Sequence, residues 1–114
     1  MRLGELIETL ESAVATVGRD HRVAHGINCA HSYRGYYEDL AFELSGPSTL
    51  GEMLDTARDC MGKTFVGYKG GDFVMGEFTD CWIANYGETG ESLGKLSLSA
   101  MMNGGAPIPG EAAR

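Results

Sequence analysis

The hydrophobic period of this chain switches from helical to alternating and back, and the order of the switches limits the folds open to it. Leu3, Leu6, Ile7, Leu10, Val14 and Val17 recur at the spacing of one helix face, with Glu5, Glu8 and Glu11 on the others. The spacing predicts an amphipathic helix over roughly residues 3–15, ended by Gly18-Arg-Asp20. The period then falls to two. Residues 22–28 read as a short strand that would place His21, Val23, His25, Ile27, Cys29 and His31 on one face. Residues 36–44 read as a second, with Leu40, Phe42 and Leu44 toward a core and Asp39 and Glu43 outward. Ser45-Gly-Pro47 breaks it. Thr49 and Glu52 have the spacing of a capping box, in which each satisfies a free amide at a helix start, and Leu50, Met53, Leu54, Ala57 and Met61 line one face of that helix. Gly62 suits its C-terminal end, since glycine tolerates the left-handed conformation there. Residues 64–69 and 72–75 are strand-like around a Gly70-Gly71 hairpin turn. Residues 76–78 turn or bulge, 79–86 form a further strand, 87–92 turn again, and 93–101 carry both helix and strand signals.

Helix, strand, strand, helix, hairpin, strand is not the regular alternation of a doubly wound sheet. The expected architecture is α+β, two helices packed on one face of a largely antiparallel sheet of four to six strands, because amphipathic helices and alternating strands supply each other's apolar surface. The 114 residues suit one domain, over 1–102, and the Gly-, Pro- and Ala-rich residues 103–114 are expected to be a flexible tail. There is no internal repeat. No apolar run reaches the length of a membrane span, so no membrane partner is expected.

Three widely spaced cysteines, Cys29, Cys60 and Cys81, are odd in number, which argues against a disulfide framework and for a reducing compartment. With no basic and apolar leader at the N-terminus, the expected location is the cytoplasm. A net charge of -7 argues against a general binder of nucleic-acid polymers, which needs a basic surface to release counterions. The His and Cys spacings match no standard zinc motif, so neither a metal nor another cofactor is expected.

One stretch has the composition of a binding site. His31-Ser-Tyr-Arg-Gly-Tyr-Tyr-Glu38 gathers three tyrosines, an arginine and a histidine around a glycine. Tyrosine offers rigid area with a polar end, and the arginine fork matches phosphate or carboxylate. The candidate ligand-binding residues here are His31, Ser32, Tyr33, Arg34, Tyr36 and Tyr37; the ordinary alternative is a loop whose tyrosines cover a core edge. Further along, Lys63, Tyr68, Lys69, Gly70 and Gly71 bring cations, a ring and side-chain-free amides that could approach a phosphate. Gly62-Lys-Thr64 is not a P-loop: it lacks the earlier glycine and closes a helix instead of opening one. Trp82 suits the core or a stacking surface, and Asn85 could read a base edge.

The stretches His31-Ser-Tyr-Arg-Gly-Tyr-Tyr-Glu-Asp-Leu-Ala-Phe-Glu43, Gly62-Lys-Thr-Phe, Gly67-Tyr-Lys-Gly-Gly71 and Asp80-Cys-Trp82 resemble a family of small proteins encoded by tailed phages, from the first helix to about Gly90. Small phage proteins of this size and α+β character include sponges that sequester nucleotide signals of bacterial defence, such as the cyclic ADP-ribose messengers of Thoeris or the cyclic oligonucleotides of CBASS. The analogy implies a non-catalytic protein of the infected cell's cytoplasm that captures an anionic, nucleotide-like molecule. Enclosing such a ligand is easier where two copies of a small domain meet, so a symmetric homo-oligomer is expected. Two other readings stand beside this one: a hydrolase or lyase using His31 with Asp80 or Glu38, and a module that binds a host protein through Tyr33, Tyr36 and Tyr37. No catalytic residues are assigned, because no nucleophile, base and orienting group share a recognisable spacing.

Overall fold

Leu-Ala-Phe-Glu-Leu, residues 40–44, forms the strand around which the other elements are laid. In a computed structural model that describes residues 1–67 and 70–103, the order is α1 (Leu3–Val17), β1 (Arg22–Val23), β2 (Ile27–Ser32), β3 (Leu40–Leu44), β4 (Ser48–Thr49), α2 (Leu50–Cys60), β5 (Thr64–Val66), β6 (Asp72–Val74), β7 (Cys81–Ile83), β8 (Glu91–Ser92) and α3 (Lys95–Met102). The main sheet runs β2-β3-β7-β8, antiparallel except for the β3–β7 pair, and two-stranded ribbons β1–β4 and β5–β6 flank it. The fold is α+β, as the periodicities predict. The helix over residues 95–102 resolves the ambiguous segment.

One face of the main sheet meets the helices. Leu3, Leu6 and Leu10 of α1, Met53, Leu54 and Ala57 of α2, and Leu98 of α3 bury against Leu40, Phe42 and Cys81 in one aliphatic cluster. The α2 start is the capping box that the sequence spells: Thr49 Oγ1 accepts from Glu52 N–H at 3.2 Å, and Glu52 Oε1 accepts from Thr49 N–H at 3.1 Å. Gly62 follows that helix with φ +76. The β5–β6 ribbon pins itself to the cluster through Phe65 and Phe73, which are register partners, while Val66 and Val74 point outward and are each 67 % exposed. The expected strand over 64–69 ends at Val66, and the connection is longer than a Gly70-Gly71 turn: Gly67 N–H donates to the Gly71 carbonyl and Gly70 N–H to the Gly67 carbonyl, both at 2.8 Å, with Gly70 and Gly71 at φ +96 and +87, values that side chains resist.

Several expected elements need correcting: the strand over 79–86 spans only Cys81–Ile83, and Glu91–Ser92 of the expected 87–92 turn form β8. Residues 22–28 are not one strand: β1 pairs with β4, β2 pairs with β3, and a register shift between Asn28 and His31 ends the alternation. Cys29 sits in that shift with φ +48, so Asn28 and Cys29 are both exposed and His31 and Ser32 both buried, and the expected shared face of His21 through His31 does not exist. The strand over 36–44 starts only at Leu40, and its ends are inverted, since Asp39 is buried and Leu44 is 47 % exposed. Leu40 and Phe42 bury in the helix-side cluster and Ala41 in the cluster on the other face, and Asp39, just before the strand, is held in by its bond from Trp82 Nε1–H. Met61 lies past the end of α2 and is largely exposed instead of lining its buried face.

Candidate functional site

The sheet face turned away from the helices carries three of the residues that the sequence singles out, His31, Tyr33 and Trp82. Register places His31 of β2 beside Ala41 of β3, and Ala41 beside Trp82 of β7. Because Ala41 is small, the rings flanking it can close over it: Tyr33 stacks on Trp82 with centroids 4.3 Å apart and planes 8° from parallel. Tyr33, Ala41 and Ala84 form a second, smaller buried cluster under Trp82. Its polar ends are satisfied. Trp82 Nε1–H donates to Asp39 Oδ2 at 2.9 Å, and the Tyr33 hydroxyl accepts from Gly90 N–H at 3.2 Å. Gly35 packs so closely on the Tyr33 ring that a Cβ there would lie 2.5 Å from it, which accounts for the glycine between Arg34 and Tyr36.

His31 lies at the other end of this face. Its Nδ1–H donates to the Cys29 carbonyl at 2.6 Å, its ring meets Tyr86 edge-on at 5.6 Å, and its Nε2 is buried with no hydrogen-bond partner among the described residues. Ser32 is also buried, its hydroxyl donating to the Tyr37 carbonyl at 2.6 Å and closing the 32–37 turn. These two residues, with Tyr33, build the fold of the segment and do not present it to solvent. Arg34 does face solvent, with Nη1–H donating to the Gly87 carbonyl at 3.0 Å, and Asn85 donates to Glu88 at 3.3 Å. Lys63 pairs with Asp59 at 3.3 Å, one helical turn back. Tyr68 and Lys69 lie outside the described residues, as do positions 104–114 of the expected tail. Tyr37 is half-buried.

A concave feature lies next to this cluster. A cleft of about 600 Å³ opens between the 36–39 turn and β6, lined by Tyr36, Glu38, Asp39, Asp72, Phe73, Val74, Phe78, Thr79 and Asp80. Of the ligand-binding residues that the sequence singles out, Tyr36 is among its lining residues and the Gly70-Gly71 turn is not. Three rings and four carboxylates face it, and none of the lining residues is basic. Beside the cleft, the Arg2 guanidinium carbon lies 5.5 Å from the centroid of the Phe78 ring, and the Arg2 backbone forms an isolated antiparallel β-bridge with that of Asp80. Burial holds the Asp39 carboxyl above the usual carboxylate range; the Trp82 hydrogen bond opposes that shift, and the charges of Asp80 and Glu38 reinforce it.

Sequence reasoning missed Asp39, Asp72, Phe73 and Phe78 as cleft residues, and gave Glu38 and Asp80 only a part in catalysis. Acidic residues scattered over a chain of net charge -7 look like solvated faces until the fold collects them. Burial pushes the Cys60 and Cys81 thiols up to about 11 and about 12, so neither is a poised nucleophile. Among the described residues, no group of three or more His, Cys, Asp or Glu side chains is placed to hold a metal ion, and no helix is long and apolar enough to cross a membrane. Comparison with protein-family models, with curated proteins and with solved structures finds no match for this chain.

Proposed function

We propose that this protein acts by binding, without chemistry, and that the cleft between the 36–39 turn and β6 receives a ligand carrying positive charge beside apolar surface. The observation that carries the reading is the lining itself: Tyr36, Phe73 and Phe78 with Glu38, Asp39, Asp72 and Asp80, in a volume typical of ligand sites. Aromatic faces and carboxylates both attract cations, the former through the ring quadrupole. The lytic alternative finds less support, because His31 is not among the cleft's lining residues and donates its Nδ1 proton to a backbone carbonyl, away from Glu38 and Asp80. The surface of Tyr33, Tyr36 and Tyr37 is reduced to Tyr36, since Tyr33 is buried and Tyr37 half-buried.

An anionic, nucleotide-like ligand is the second reading. It rests on Arg34, which is exposed beside Gly87, and on Lys69 with the Gly70-Gly71 turn, whose positive φ values suit close backbone approach. The resemblance to phage-encoded proteins gives either reading a setting, capture of a host molecule, which belongs to the proposal. A thermal-shift screen at low salt with spermidine, argininamide, cyclic nucleotides and ADP-ribose derivatives separates them, since a ligand at a hundred times its dissociation constant adds about 2.7 kcal/mol of stability. The expected result is a shift with the cations that falls in the Asp72→Asn, Asp80→Asn double variant. A shift with a nucleotide alone, abolished by Arg34→Ala or Lys69→Ala, would overturn the cation reading in favour of the second.

A further inference from the structure

We infer that the occupant of the cleft is an extended, lysine- or arginine-bearing polypeptide segment that pairs with the outer edge of β6. This rests on the reading of the cleft as a site for cations and names the class of ligand.

Two features of β6 lead there. Among the described residues the strand has a neighbour on one side only, β5. Side chains alternate along a strand, so one of its faces can offer a cleft only every second residue. Yet Asp72, Phe73 and Val74 all line this one. The strand therefore turns its edge toward the cleft. The register fixes which backbone groups are there. Met75 N–H donates to the Lys63 carbonyl at 3.0 Å, and Phe65 stands opposite Phe73. By the alternation of an antiparallel ladder, the amide groups of Phe73 turn toward β5 and those of Asp72 and Val74 turn outward. A third strand laid against that edge would pass between β6 and the wall made by Tyr36, Glu38, Thr79 and Asp80.

The side chains around the edge select among occupants. Val74 and Phe78 are 67 % and 70 % exposed, apolar surface that a docked strand would cover. An exposed valine on a free edge invites self-pairing, and a carboxylate beside it is the ordinary protection. Here Asp72 is flanked across the cleft by Glu38, Asp39 and Asp80, so two copies pairing through β6 would set like charges together. A basic strand meets attraction at the same positions. Strand addition would draw its affinity from main-chain hydrogen bonds and its selectivity from alternate side chains, here cationic and apolar in turn.

The test uses the full chain and a labelled peptide of about ten residues that alternates lysine with valine or threonine. Two further versions carry backbone N-methyl groups on alternate residues, in opposite phase. They keep charge and side chains but remove donors from one edge or the other. The expected result in fluorescence polarisation is that the parent binds, one phase weakens binding about tenfold or more, and the other stays within about twofold. The Val74 amide should also exchange hydrogen more slowly in the complex. Equal affinity of the two methylated phases, or binding of spermidine without binding of the parent peptide, would overturn strand pairing and leave the cation reading of the cleft standing. Failure of the peptide and of every small cation to bind would overturn both.

Discussion

On one face of β3, Leu40 and Phe42 are fully buried among aliphatic side chains of α1 and α2. On the other, Ala41 is equally buried, but beneath the Tyr33–Trp82 stack, with a hydrogen-bonded Asp39 at one end and, at the other, the His31 Nε2 that has no hydrogen-bond partner among the described residues. One strand thus separates two kinds of interior. The helix-side face is held by apolar volume, where another apolar side chain of the right size would serve. The opposite face is held by ring geometry and by specific donors and acceptors, so its residues are constrained in kind as well as in size. It is also the face whose Asp39 reaches the cleft, which makes it the route by which binding and packing can affect each other.

The sharpest way to break this distinction is to remove volume from the helix side. Phe42→Ala is expected to cost about 3–5 kcal/mol, because a large ring leaves a fully buried site that the surrounding helices can only partly fill. Urea unfolding measures it. A loss below about 1.5 kcal/mol would mean that the helix face is loosely packed and that the two interiors are not different in the way described.

On the opposite face the informative change adds volume. Ala41→Leu would drive a branched side chain between Tyr33 and Trp82, whose stacking depends on the small residue below them, at an expected cost of about 1–3 kcal/mol. Trp82 is the only tryptophan, so its fluorescence reports directly on whether the stack opens. Loss of stability without a change in that emission would place the strain elsewhere.

The difference between the faces also explains what could be read without coordinates. Local rules were legible: the Thr49–Glu52 capping box, the helical spacing of Leu3, Leu6 and Leu10, and the positive φ taken at Gly70 and Gly71 each depend on neighbours a few residues away, although the turn that holds these glycines opens already at Gly67. The main aliphatic core followed from these. What failed depends on partners far along the chain. Asp39 looks outward-facing in an alternating strand, and it is buried beside Trp82, a hydrogen-bond partner 43 residues further on. Nothing about a cysteine announces the positive φ at Cys29 that ends the alternation of the His21 to His31 segment. The cleft was illegible for the same reason, since Asp39, Asp72 and Asp80 are brought together by the β5–β6 ribbon and the start of β7. Trp82, read as core or as a surface for stacking a ligand, packs on the Tyr33, Ala41 and Ala84 cluster and stacks on Tyr33.

The smallest expected effect is the most specific to the second interior. Asp39 is the residue shared by the Trp82 hydrogen bond and the cleft, and its carboxyl is held above the ordinary range, with burial as the largest cause. A carboxyl whose pKa is raised by folding binds its proton more tightly in the native state. Its contribution to stability is therefore fully present below the unfolded value of about 3.9 and is lost as pH rises through the higher folded value. At neutral pH the ionised group costs stability, even though its oxygen accepts from the indole. Asp39→Asn removes the charge and keeps an oxygen for Trp82 Nε1–H, so the variant should be at least as stable as wild type at pH 7. That advantage should shrink toward zero as pH falls below about 4. Thermal melts of the two proteins across this range measure it. A variant that is less stable at pH 7, with the deficit closing on acidification, would show that the Trp82–Asp39 bond outweighs burial and that this face is stabilised by its charge.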